Sequence, residues 1–206
     1  MTMKGLFRSL MAFSMTLVFS SNALALPVTW STNGHEYEVV TLDNADWNTA
    51  RTSAQGLGTG WDLATITSAD EQAFINTLLG APPTGGTVQY WVGGLQPAGS
   101  TEPGASWQWI NGEGLFWDNG PISGVYSNWG TGIATEPDNV GVQNHVALDN
   151  RFGWGWDDND NFLGGVIRGY VAEKSNSISA VPEPSTLLLL GSGMVGLLAY
   201  RRKRQS

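Results

Sequence analysis

Glu136-Pro137-Asp138-Asn139 opens the stretch that decides the fold. It continues through Gln143-Asn144-His145-Val146-Ala147-Leu148 and closes on Trp154-Gly155-Trp156-Asp157-Asp158-Asn159-Asp160. Oxygen-bearing side chains are dense here, set among glycines and tryptophans. Hard cations such as calcium take about six to eight oxygen ligands, drawn from carboxylates, amides and backbone carbonyls. Two acidic clusters about twenty residues apart, joined by a strand-like segment, can furnish such a cage. An EF-hand loop beginning at Asp157, Asn159 and Asn161 is excluded, because Phe162 replaces the needed glycine and Arg168 the closing glutamate.

Upstream of that stretch the chain changes character once. His35 to Leu42 alternates as a strand, with Tyr37, Val39 and Thr41 on one face. Asp43 or Asn44 is expected to cap a helix carrying Trp47, Ala50 and Ala54 and ending near Gly56. Leu63 to Ile66 reads as a short strand. Ser68-Ala69-Asp70-Glu71 is a capping box that opens a second helix, with Phe74, Ile75, Leu78 and Leu79 as its apolar side. From Gly80 onward Gly, Pro, Trp and Asn dominate. Val88 to Leu95 reads as a strand ended by the Gly93-Gly94 pair, Trp107 to Ile110 as another with a turn at Asn111-Gly112, and Val166 to Ala172 as the last. The fold class is therefore expected to be α+β, two short helices with antiparallel sheets, a long Gly-, Trp- and Asn-rich loop region and no disulfides.

The formal charge of −8 conceals an asymmetry. Lys4, Arg8, Arg201, Arg202, Lys203 and Arg204 lie at the ends, so residues 26–183 set Arg51, Arg151, Arg168 and Lys174 against all 18 acidic residues. Such a body repels nucleic acid phosphates and suits cations. With 206 residues and no cysteine, one domain of this size must be held by core packing or by bound metal. His35 and His145 are the two histidines, and no nucleophile–His–Asp arrangement accompanies them, so the expectation is a protein that is not an enzyme.

The ends read as sorting devices. Residues 1–25 carry Lys4 and Arg8, an apolar run from Leu10 to Phe19, and Ala23-Leu24-Ala25, the pattern of a secretory signal peptide. Residues 26–174 are the expected domain and 175–180 a linker. Val181-Pro182-Glu183-Pro184 then begins a tail, 181–206, with an apolar span at 186–200 and a basic cluster behind it. That span is short of the ~20 residues of a comfortable crossing, and the basic cluster would stay cytoplasmic. The tail resembles the PEP-CTERM sorting signal of Gram-negative bacteria. The resemblance implies transient anchoring in the inner membrane, processing by an exosortase, and export to the cell surface or an exopolysaccharide matrix.

The order of elements in 34–173 resembles the C-type lectin-like domain. The matching residues are Trp47 and Ala50, Leu63-Ala64, Ser68 to Phe74, Trp91-Val92-Gly93, Trp107, Trp109, Gly112 and Trp129. Its Glu-Pro-Asn-type loop, Glu-Asn-Cys strand start and Trp-Asn-Asp strand end correspond to Glu136-Pro137-Asp138, Gln143-Asn144-His145 and Trp156-Asp157-Asp158. The resemblance implies a calcium ion (Ca2+) held by Glu136, Asp138, Gln143, Asp157 and Asp158, a cis Pro137, and an extracellular glycan bound through Glu136, Asp138, Gln143 and Asp157. Trp154, between glycines, is the candidate for stacking on a sugar ring, whereas Trp91, Trp107, Trp109 and Trp129 read as core. Three departures carry chemistry. Ala54 and Ala172 stand where the family has a disulfide, and His145 where it has another cysteine. Asp138 and Asp157 stand where amides are usual, and Gln143 where a glutamate is usual, so the amide donors to a sugar fall from two to one. Two readings remain: a calcium-dependent carbohydrate-binding module, and a calcium-stabilised structural or adhesive matrix protein that binds no sugar.

Overall fold

Three central strands carry apolar residues on both faces. In β4 (Gln89–Leu95), β7 (His145–Asp149) and β9 (Ile167–Lys174), Trp91, Ala147, Tyr170 and Ala172 enter one buried cluster, and Val92, Val146, Leu148 and Val171 another. Because side chains alternate along a strand, these are the two faces of one sheet, and each needs a cover. Helix α1 (Trp47–Gly56) lays Trp47, Ala50 and Ala54 on the first. Helix α2 (Ala69–Leu79) lays Ile75 on the second, with Phe74, Leu78 and Leu79 packed at its margin.

The computed structural model describes residues 26–160 and 165–175. The expected signal peptide, the linker beyond Ser175, and the sorting tail with its apolar span lie outside the described residues. Among the described residues, no helix is long and apolar enough to cross a membrane. The remaining strands are β1 (Val28–Thr29), β2 (Glu36–Thr41), β3 (Trp61–Leu63), β5 (Trp107–Trp109), β6 (Leu115–Trp117) and β8 (Gly155–Asn159). The sheet runs β1-β2-β9-β4-β5-β6, with β3 also on β9, β7 on β4, and β8 on β7. It is mixed rather than antiparallel throughout as expected: β2 and β9 are antiparallel from Glu36↔Lys174 to Thr41↔Gly169, while β4 and β9, reached by a crossover, are parallel. Pairing an early strand with the last one places Lys174, where the tail departs, beside Glu36.

Local expectations were corrected in four places. The N-cap of α1 is Asp46, whose carboxylate accepts the Thr49 N–H at 2.6 Å. Asp43 and Asn44 are otherwise engaged, Asp43 with Arg168 at 3.3 Å and Asn44 as acceptor of the Gly165 N–H. The strand expected at 63–66 is β3 at Trp61–Leu63. Beyond its register with β9, Ala64 turns its N–H to Val171 and its carbonyl to the Gly93 N–H. The Gly93-Gly94 pair does not end β4 but lies within it, because a Cβ on Gly94 would fall 2.5 Å from Val146 Cγ2. In α2, Ser68 caps as expected by accepting the Glu71 N–H, but the Glu71 carboxylate returns to the Thr67 N–H at 2.7 Å.

Aromatic packing replaces the missing covalent ties. Trp107, Trp109, Phe116, Trp129 and Trp156 meet mostly edge to face, with centroids 5.0–5.8 Å apart in the pairs Trp107–Trp129, Trp109–Trp156, Phe116–Trp156 and Trp129–Trp156. Trp91, Trp107, Trp109 and Trp129 are all buried, as the sequence implied. Ala54 and Ala172 are fully buried in one cluster. His145 lies 4.5 Å from the Trp47 ring, and burial pushes its imidazole down to about 4, so the ring is neutral at physiological pH.

Candidate metal centre

The loop that precedes β7 is hung from the aromatic core. Gly130 donates its N–H to the Trp156 carbonyl at 2.8 Å and accepts the Glu136 N–H at 3.0 Å, so the strand carrying Trp156 fixes where Glu136 begins. The Glu136–Pro137 peptide is cis. Asp158, completely buried opposite Val146, then staples the turn: its two carboxylate oxygens accept the N–H groups of Asp138 and Asn139, each at 2.9 Å. Asn139, at φ 49°, closes the loop by accepting the Gln143 N–H at 2.8 Å.

These bonds gather Glu136, Asp138 and Asp158. Each offers one oxygen, and the three oxygens lie within 4.8 Å of one another. Glu136 and Asp158 are buried and Asp138 is exposed, so the triad opens to solvent on one side. Two further oxygens, Glu136 Oε2 and Gln143 Oε1, are buried without a hydrogen-bond partner. Burial raises the Glu136 carboxyl to about 9, reinforced by Asp157 and Asp138 and by its hydrogen bond with Asp158. Asp158 is also raised by burial, against the opposing pull of the two N–H groups it accepts. A site made of acceptors, with an orphaned oxygen on Glu136 and with Glu136 and Asp158 pushed toward protonation chiefly by burial, has the chemistry that a hard cation neutralises. The donor set fits calcium.

Asp157 stands apart from the triad. On a regular strand its side chain leaves the face opposite that of Asp158. Its Oδ2 accepts from Arg151 Nη2 at 2.8 Å and from Gln89 Nε2 at 2.5 Å, and the same two donors bind the fully buried Asp149. Asn159 donates to Gln89 from the same side. Burial and Asp149 push Asp157 up to about 7, with Arg151 opposing. Gln89, Asp149, Arg151 and Asn159 were missed in the sequence, since they come from β4, β7, the 3-10 turn Asn150–Phe152 and β8, and form no local motif. Trp154 is also placed differently from its expected role. Its ring is 2% exposed, its indole N–H is spent on the Gly80 carbonyl at 2.7 Å, and Tyr90 meets it edge-on. It anchors α2 to β8 and offers no face to a sugar.

This arrangement, two helices on a mixed sheet with a loop fastened by the penultimate strand, is the C-type lectin fold. Human lithostathine superposes with a TM-score of 0.55 over 79% of this chain and 99% of its own, at 19% identity. The C-type lectin CEL-I from Cucumaria echinata gives 0.52 over 72% and 96%, at 19% identity. The human scavenger receptor C-type lectin carbohydrate-recognition domain gives 0.50 over 73% and 96%, at 17% identity. Residues 180–204 match the PEP-CTERM protein-sorting motif. No curated protein matches the chain in sequence.

Proposed function

We propose that this protein is an exported, calcium-dependent carbohydrate-binding module that acts at the cell surface or in an exopolysaccharide matrix. The observation that carries the calcium is the triad of Glu136, Asp138 and Asp158 with the orphaned Oε2 of Glu136, while the orphaned Gln143 Oε1 belongs to the same loop. Calcium there would be held by those side chains, and it would supply a Lewis-acidic centre for vicinal hydroxyls. Two of the similar folds are named as a C-type lectin and a carbohydrate-recognition domain, which supports the glycan reading by analogy of fold. The sorting motif at 180–204 supports an exosortase partner and an envelope or extracellular destination. Residues 26–174 form the binding domain in this reading.

The structural alternative, calcium without sugar, is favoured by one observation. Asp157 is committed to Arg151 and Gln89, and both Asp158 oxygens to the loop backbone, which leaves fewer groups for hydroxyls. A glycan array probed with the full-length protein, with calcium and with a chelator, decides between them. Binding to a defined glycan that the chelator removes supports the lectin reading. A calcium-induced rise in melting temperature with no glycan signal supports the structural one, and the absence of both removes the metal.

A further inference from the structure

A concavity of about 280 Å³ adjoins the acidic triad on the side away from Gln143 in sequence, lined by Pro103, Trp117, Asn119, Thr135, Glu136 and Pro137. Its volume is near the lower limit of small-ligand pockets, about 300 Å³, room for one ring rather than an extended chain. The walls are fixed before any ligand arrives. Trp117 pairs with Trp107 across the β5–β6 hairpin, bridges to Pro121, and rests its half-buried indole against the buried Trp129 at 6.4 Å. The opposing loop is tied to it: Asn119 donates its N–H to the Gly104 carbonyl at 2.7 Å, and Ser106 donates its N–H to Asp118. One end of the concavity is Glu136, which is also a member of the triad. Whatever a cation at the triad holds can therefore continue into this space.

The lining has two chemistries. An indole and two pyrrolidine rings form flat apolar walls, while Asn119, Thr135 and Glu136 offer an amide, a hydroxyl and a carboxylate. A pyranose presents the same pair, an apolar C–H face and a girdle of hydroxyls. The surplus of acidic over basic residues in the body disfavours an acidic sugar. We propose that Trp117 is the platform of a second saccharide subsite, which receives the neutral sugar residue next to the one held at the acidic triad. The subsite rests on the glycan-binding reading above, and it takes the stacking role that the buried Trp154 cannot fill.

The test titrates full-length protein in calcium with the methyl glycosides of mannose, glucose and N-acetylglucosamine, and with disaccharides of the same sugars. Trp117→Ala is expected to weaken disaccharide binding about tenfold while methyl glycoside binding and the calcium-induced melting shift hold. Trp117→Phe, which keeps an aromatic face and guards against a folding artefact, is expected to restore much of the difference. Equal losses for both ligand sizes, or equal disaccharide binding by wild type and Trp117→Ala, overturn the subsite and leave the glycan reading standing. Failure of the wild type to bind any saccharide overturns both. A decaproline peptide bound by the wild type and lost in Trp117→Ala, without a saccharide response, overturns the subsite in favour of a polyproline groove.

Discussion

Among the described residues, two of the buried acidic clusters differ in a way that separates structural from binding chemistry. In the first, Glu71 of α2 and Glu173 of β9 are 3% and 4% exposed. Tyr37 donates its hydroxyl to Glu71 Oε1 at 2.5 Å and is 3.3 Å from Glu173 Oε1, which His35 Nδ1 approaches at 2.5 Å. Thr65 and Thr67 direct their N–H and hydroxyl groups at the remaining oxygens of Glu173 and Glu71. Every carboxylate oxygen there has a donor. In the second cluster, of Glu136, Asp138 and Asp158, Glu136 Oε2 has none, and Asp138 is exposed. Counting acids does not distinguish the two, whereas counting donors does, because a buried acceptor left unpaired costs about 1–3 kcal/mol unless something else satisfies it.

The largest effect should come from opening the closed cluster. Glu173→Ala strands the Thr65 N–H and His35, leaving Tyr37 its bond to Glu71, and is expected to cost about 3 kcal/mol, in the range for removing one partner of a buried pair. Denaturant unfolding should show the same loss in calcium and in chelator. A loss that calcium rescues would place a cation in this cluster too and break the comparison.

Next in size is the calcium effect on the open cluster. A cation bound only by the native state adds about 2.7 kcal/mol at a hundredfold excess over its dissociation constant, a melting shift of several degrees. Asp158→Ala, which removes a triad oxygen and the acceptor of two loop N–H groups, should abolish the shift. Persistence of the shift in that variant would move the metal elsewhere.

Glu136 of the open cluster and the separate Asp157, on the other face of β8, set a pH dependence of predictable sign. Asp157 and Glu136 have native values raised to about 7 and about 9. The unfolded chain thus releases these protons first, and their stabilising contribution, complete in acid, is lost as pH rises through those values. In chelator the melting temperature should fall from pH 6 to 9. Calcium needs the deprotonated ligands, so its shift should grow over the same window. His145, lowered to about 4, acts with the opposite slope only below about 6.5 and does not interfere. Scanning fluorimetry across pH with and without calcium checks this, and parallel curves would contradict it.

The smallest effect expected is at the rim. Asp138 is exposed and accepts the Val140 N–H at 3.1 Å. Asp138→Asn keeps an oxygen for calcium and restores one amide donor for a sugar hydroxyl. Calorimetry should show a few-fold gain in methyl mannoside affinity and a slight loss in calcium affinity. Unchanged sugar binding would mean that donor count does not limit recognition here.

Local chemistry made much of this legible in advance. Ser68 with Glu71 marked the start of α2, alternation marked β2, and short apolar runs marked β4 and β9, because caps and strand patterns depend on neighbours in sequence. The grouping of Glu136, Asp138 and Asp158 was contained in the motif order. Tertiary structure alone decided the rest. Asp157 and Asp158 are adjacent in sequence, yet strand geometry sends one to Arg151 and Gln89 and the other to the loop. Trp154 and Trp117 are both tryptophans near glycines, yet packing by α2 and Tyr90 buries one ring while the β5–β6 hairpin holds the other at the rim of a concavity. The sequence determined which residues could form a cation site and a sugar platform. Which of them face the same space depends on strand register and on contacts between elements far apart in sequence, such as Trp156 with Gln72, 84 residues away, and no local pattern encodes those.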